Sequence, residues 1–323
     1  MTDNRFYVEE NKPWFGKQAG WPDEVPRNLD CDYRTLYELL TDKVAVFRDR
    51  RAIWFEPLDS EMTYNQLKDA VDRVATGLLK NGIGKGDVVA MMLPNSFQYV
   101  TCYYACARLG AIVSGVNPTY KAGEVLHQLN TIGAKALIVL DALYEEQIAP
   151  VYDKSPCELL IATNIVDMVQ GHGFKKFLGK ALGKIPKASV KGAIPFLELL
   201  NAPASLPEIE ISCHDPATYI MTGGTTGTPK AAVLSHFNVV NNAKQSAAWV
   251  YNAKPGTGAV GILPLFHSFA MTTVMNTTLF FGGWMMLFPK PPLTEIFVQK
   301  IIEFAPKEGL IFCCAEILFQ RFA

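Results

Sequence analysis

The sequence predicts an α/β protein, and three observations carry that prediction. Short continuous apolar runs, AIWF (52–55), VVAMML (88–93), AIVSGV (111–116) and ALIVL (136–140), alternate with amphipathic stretches of helical period. Runs of that kind are apolar on both faces, as strands of a mostly parallel sheet covered by helices must be. The 323 residues, 49% of them hydrophobic, supply about two domains with a sizeable core.

The elements follow in order. TYNQLKDAVDRVATGLLKNG (63–82) is a helix: Thr63 and Gln66 form a capping box, Leu67, Val71, Val74 and Leu78 share one face, and Gly82 supplies the stop. SFQYVTCYYACARLG (96–110) and AGEVLHQLNTIG (122–133) are further helices between the strands. Residues 167–200 break the rhythm. From Gly171 to Ile194, Lys175, Lys176, Lys180, Lys184, Lys187 and Lys191 stand among Phe174, Phe177, Leu178, Leu182 and Ile185 with no acidic residue. Such a segment suits peripheral contact of 171–194 with an anionic lipid surface, and equally a solvated excursion between two lobes. The alternation then resumes with TYIMT (218–222), AAVLS (231–235) and a helix over 236–251.

Residues 255–289 contain no Asp, Glu, Lys or Arg, a length that permits a membrane helix. Pro264, His267, Asn276, Gly282 and Gly283 argue instead for strand (GAVGILPL), helix (FAMTTVMNTTLFF) and strand (GGWMMLF). PPLTEIFVQKIIEF (291–304) predicts a helix capped by Thr294, and GLIFCCA (309–315) a strand. EILFQRFA (316–323) reads as the start of another helix, so the chain is expected to be a piece of a longer protein.

Composition narrows the function. Thirty Lys and Arg against 31 Asp and Glu leave a net charge of −1, with no global field for nucleic acid. The seven cysteines show no C-x-x-C spacing and the start carries no signal segment, which points to free thiols in a reducing, cytoplasmic compartment. Cys102 and Cys106, one helical turn apart, read as buried apolar thiols rather than metal ligands, since no second ligand pair stands nearby.

The stretch MTGGTTGTPKAAVLSH (221–236) concentrates the chemistry. Glycines let a backbone approach an anion, hydroxyls add donors and Lys230 adds charge, as a phosphate loop needs; a polar hairpin turn is the bland reading of the same residues. It is not a Walker A loop, because Pro229 precedes Lys230 and Ala231 follows it. Proline also disfavours helix at Thr228, against a strand–loop–helix geometry.

This stretch resembles the signature loop of the adenylate-forming (AMP-binding) superfamily. LPLFHSFAM (263–271) resembles its acyl-pocket motif, and MMLPNSFQYV with GAIVSGVNPTYKAGEVLHQL its first lobe. The form is most similar to the amino-terminal portion of bacterial medium- or long-chain fatty acid CoA ligases. The resemblance implies two stacked αβ lobes, 73–204 forming one and 1–72 with 205–323 the other, and a carboxy-terminal domain absent from this chain. It implies activation of a fatty acid by ATP to an acyl-adenylate and pyrophosphate, then transfer to coenzyme A, with little turnover by this chain alone. An adenylation enzyme with another acyl acceptor, and a non-catalytic lipid-binding module, remain open.

Residue by residue, the resemblance implies that Thr222, Gly223, Gly224, Thr225, Thr226, Gly227 and Thr228 wrap the β- and γ-phosphates, with Lys230 adding charge and Thr225 a hydroxyl to Mg2+. It implies that His267 sits beside the acyl carboxylate or adenylate and that Phe266 and Phe269 line the pocket. A lone histidine in an apolar segment is otherwise a hydrogen-bonded core residue. Met271 stands where some long-chain relatives place a bulky aromatic gate, and Gly282 and Gly283 are expected to leave a channel for methylenes. Two departures stand out: Ala231 replaces a usual glycine, and CAEILF (314–319) matches the family pattern weakly.

Overall fold

A computed structural model describes residues 8–9, 11–15, 19–170, 190–223 and 229–314. The first α-helix among the described residues, α1 (Leu36–Phe47), opens on a capping box between Thr35 and Glu38. It precedes β1 (Arg51–Phe55), β2 (Ser60–Thr63) and α2 (Tyr64–Lys80). The capping box predicted for α2 is present: Gln66 N donates to Thr63 Oγ1 at 3.2 Å and Thr63 N to Gln66 Oε1 at 2.8 Å. Then come β3 (Val88–Met92), α3 (Phe97–Leu109), β4 (Ile112–Gly115), α4 (Ala122–Ile132), β5 (Ala136–Leu140) and β6 (Leu159–Thr163). Both α3 and α4 end on a left-handed glycine, Gly110 and Gly133, where the missing Cβ removes the penalty of positive φ.

A short β7 (Ile194–Pro195) leads to the helix Phe196–Leu200 and the hairpin β8 (Pro216–Thr222) and β9 (Lys230–Ser235). The helix His236–Trp249, β10 (Gly258–Gly261), helical turns over 268–281, β11 (Trp284–Leu287), the helix Thr294–Glu308 and β12 (Leu310–Ile311) complete the described elements. Leu293, not Thr294, occupies the cap position of the last helix, with no side-chain cap bond. The expected cap is displaced by one residue because the backbone turns helical already at Thr294. The uncharged region divides into strand, helix and strand, and among the described residues no helix is long and apolar enough to cross a membrane.

Among the described residues the strands form two sheets, ordered β12-β10-β11-β1-β2 and β7-β6-β5-β3-β4-β8-β9, parallel except at β2 and β9. Alternation along each strand sorts the apolar residues into three cores. Val89, Met91 and Ile138 of the larger sheet and Ile53 and Phe55 of the smaller face a shared layer built from α1, α2 and α3. Val88, Ala90 and Met92 face α4 on the far side, while Trp54, Trp284 and Met286 face Phe297 and Phe304 of the last helix. The result is a stack of helix, sheet, helices, sheet, helix, with α3 buried along nearly its whole length in the middle. Cys102 and Cys106 lie in that layer, where burial pushes both thiols up, Cys106 to about 12.

The division expected at residue 205 does not hold for the strands. β8 and β9, within 205–323, extend the larger sheet, because β8 pairs with β4 at Val113–Thr218. Thr218 Oγ1 donates to Val113 O at 2.8 Å and Ser114 Oγ to Tyr219 O at 3.0 Å, which ties the hairpin to the other lobe's strands.

Candidate active site

In the larger sheet β3 continues through α3 to β4 on one side, and β4 continues through α4 to β5 on the other side of β3. Since α3 and α4 cover opposite faces, the loops leaving β3 and β4 part and open a crevice at the carboxyl ends of those strands, where ligands of open α/β sheets bind. A turn from the smaller sheet enters here. Gly115, the last residue of β4, meets Phe266 so closely that a Cβ built on it lies 2.6 Å from Phe266 Cβ, 2.8 Å from Phe266 Cα and 2.6 Å from the Tyr99 hydroxyl. Gln128 of α4 donates to Gly115 O at 3.0 Å, and Asn95, in the loop after β3, bonds the backbone of the entering turn.

The residues predicted from LPLFHSFAM sit on this turn. His267 is exposed, and its Nδ1 accepts from Phe269 N at 3.2 Å. A neutral ring that accepts at Nδ1 carries its proton on Nε2, leaving a donor for an acceptor outside the turn. Phe266 is half-buried, Phe269 exposed, and Met271 buried in the central core. The helix predicted after them contains a π turn over Met271–Asn276, a widening of the kind found often at functional sites. Its buried Asn276 accepts from Tyr104 Oη at 2.8 Å.

The residues expected to form a phosphate loop are divided by what the structure describes. Thr222 and Lys230 form the last rung of the β8–β9 ladder, with Thr222 Oγ1 donating to Lys230 O at 3.1 Å. Gly223 follows with nothing within 4 Å of where its Cβ would be. Gly224, Thr225, Thr226, Gly227 and Thr228 lie outside the described residues, as do residues 171–189 of the basic segment and 315–323. A strand, β9, follows the stretch where a Walker A loop would lead into a helix, in line with the exclusion of that motif. Ala231 occupies a regular rung opposite Met221. Counting from the Val113–Thr218 pair, Thr222 stands two residues past the level of Gly115, about 7 Å further along the sheet. The mouth of the loop and the Phe266–His267 turn thus share one edge.

The expected channel over Gly282 and Gly283 is absent. A Cβ on Gly282 would lie 2.2 Å from Phe47, and one on Gly283 2.3 Å from both Phe281 and Thr257 O, so these glycines admit close packing rather than open space. Among the described residues no three His, Cys, Asp or Glu side chains gather as a metal site. Sequence reasoning missed Asn95, Tyr99, Gly115 and Gln128; the one local signal was the polar Asn95–Ser96 pair between an apolar strand and an apolar helix.

Residues 40–310 match the model of the AMP-binding enzyme family, and the chain belongs to that family. It is 34% identical over 311 residues to the long-chain-fatty-acid–CoA ligase of Bacillus subtilis (strain 168), covering 92% of this chain and 52% of that protein. The ligase of the same name from Escherichia coli O157:H7 is 32% identical over 292 residues, covering 87% and 50%. The crystal structure of the anthranilate CoA ligase AuaEII in complex with anthranoyl-AMP shares the fold at a TM-score of 0.73 and 20% identity, covering 87% of this chain and 49% of that one. The chain spans about half the length of the curated relatives it matches.

Proposed function

We propose that this chain carries the phosphate loop and the acyl-pocket wall of an ATP-dependent fatty acid–CoA ligase. The observation that supports it most is the shared edge: the turn bearing Phe266 and His267 seats on Gly115 at the switch-point crevice, and the loop hairpin opens beside it. The names of the relatives point the same way.

In this reading the fatty acid carboxylate attacks the α-phosphorus of ATP, releasing pyrophosphate, and the thiol of coenzyme A then displaces AMP. Little covalent chemistry falls to the protein, so positioning and charge stabilisation carry the rate. Backbone N–H groups and hydroxyls from Thr222 to Thr228 hold the β- and γ-phosphates and Lys230 offsets their charge, while Pro229 has no N–H to offer. His267 donates from Nε2 to the carboxylate or adenylate oxygen, and Phe266 and Phe269 exclude water from it. Mg2+, a hard cation that takes oxygen ligands, would offset the triphosphate's charge, and Thr225 would offer it a hydroxyl. The proposal includes a cytoplasmic setting and peripheral lipid contact through 171–194, strengthened by anionic lipid and weakened by salt.

Fatty-acid-dependent ATP–pyrophosphate exchange tests this reading in the longest protein that contains the chain. Lys230→Ala is expected to lower exchange by about 10²-fold, the scale for removing one group aimed at transition-state charge. Unchanged exchange would remove the loop from the mechanism. Exchange without thioester formation would favour another acyl acceptor, and no exchange with any fatty acid would favour a lipid-binding module.

A further inference from the structure

We infer that Asn95 is the positioning residue that fixes the Phe266–His267 turn relative to the phosphate hairpin. What the turn does for substrate rests on the ligase reading; the clamp itself does not. Asn95 follows β3 at the switch point and is 4% exposed. Its Nδ2 donates to Gly261 O at 3.0 Å and to Leu263 O at 2.9 Å, and its Oδ1 accepts from Leu265 N at 2.8 Å. One side-chain amide thus meets three backbone groups of five consecutive residues, using both of its donors and an acceptor. Only an amide matches this set. A carboxylate would face two carbonyl oxygens with no donor, and an apolar side chain would leave all three bonds unmade.

The turn needs such a partner. Pro264 has no N–H, so the segment between Gly261 and His267 has few bonds of its own to set its path. Gly261 O also accepts from Phe288 N at 3.1 Å, so the clamp joins the smaller sheet's strand ends to the larger sheet's switch point. β3 is separated from the β8–β9 hairpin only by β4, and Gly115 of β4 sits against Phe266. Asn95 therefore sets how far His267 stands from the Thr222–Lys230 rung of that hairpin. A buried amide without this duty is available for comparison: Gln98, 1% exposed, donates to Asn164 O at 2.8 Å and to Thr163 Oγ1 at 3.3 Å, and makes no hydrogen bond to the turn.

The test starts on wild-type chain by NMR. Both Asn95 side-chain N–H protons and the Leu265 amide should exchange with solvent slowly, and exchange at the rate of free groups overturns the clamp. With histidine labelling, Asn95→Ala and the near-isosteric Asn95→Asp should each shift the His267 ring signals, whereas Gln98→Ala should leave them in place. Unmoved His267 signals in both Asn95 variants, or an equal shift in Gln98→Ala, overturn the inference. In the longer protein, Asn95→Ala should raise the KM for fatty acid about tenfold and that for ATP less than twofold; equal rises reject a role on the acyl side. If His267 moves as expected while wild-type protein shows no exchange with any fatty acid, the ligase reading falls and the clamp stands.

Discussion

Replacing Gly115 by alanine tests the seat on which the candidate site rests. The added methyl would lie 2.6 Å from Phe266 Cβ, 2.6 Å from the Tyr99 hydroxyl and 2.8 Å from Phe266 Cα, against about 3.5–4.0 Å for ordinary carbon contacts. Relief requires a movement of about 1 Å. Because one of the opposing atoms is backbone and the turn is held by Asn95, no flexible side-chain tip can absorb it. Overpacking of this kind costs about 1–3 kcal/mol. Gly123, in α4, supplies the opposite sign: nothing lies within 4 Å of its Cβ position, so alanine there should stabilise by about 0.4–1 kcal/mol through the unfolded chain. Urea unfolding of both variants beside wild type, compared at equal m, measures the difference. A Gly115→Ala protein as stable as wild type would show that Phe266 does not rest on β4, and the shared-edge argument would lose its main contact.

Two further predictions concern single side chains. His236 is fully buried, its Nδ1 accepting from Leu36 N at 3.3 Å, and burial pushes its pKa down to about 4 against the opposing influence of Asp215 and Glu38. The unfolded chain therefore takes up a proton that the folded one refuses. The resulting stability is fully present above pH 6.5 and is lost as pH falls toward 4, by up to about 3 kcal/mol. His236→Gln should flatten the urea midpoint over that window, and an unchanged slope would assign the pH dependence elsewhere. Met271 is 3% exposed in the central core, so Met271→Trp should cost about 1–3 kcal/mol by overpacking. If the acyl pocket of the longer protein reaches this side chain, the variant should also shift preference from decanoate toward shorter acids by about 0.8 kcal/mol for each methylene denied a buried place, and an identical chain-length profile would exclude Met271 from the pocket.

The parts of the fold legible in the sequence are those set by near neighbours in the chain. Thr63 and Gln66 cap α2 across three residues, Gly110 and Gly133 end the helices they follow, and the strands of the larger sheet are apolar on both faces because helices cover both. The partnership of β4 with β8 joins residues about a hundred positions apart, and no local pattern announces which sheet a hairpin will extend. Gly282 and Gly283 show the same limit in another form. A missing Cβ permits either a void or a close approach, and only the arrival of Phe47, from α1, decides for Gly282.

The candidate site divides along the same line. The loop and the Phe266–His267 motif are recognisable because their residue types act locally, as N–H donors, hydroxyls, a cation and an imidazole. What brings them to one edge is strand order, which places β4 between β3 and β8 and opens the crevice where the turn enters. Asn95 and Gly115 have no chemistry of their own to betray them. Their importance lies in what they meet: Gly115 faces a residue 151 positions later in the chain, and Asn95 bonds residues 166 to 170 positions later. A polar residue after an apolar strand is ordinarily a turn-former with water for a partner. It becomes a clamp only because the second sheet delivers two carbonyls and an amide to it, so the residues that align such a site are the ones a motif search passes over.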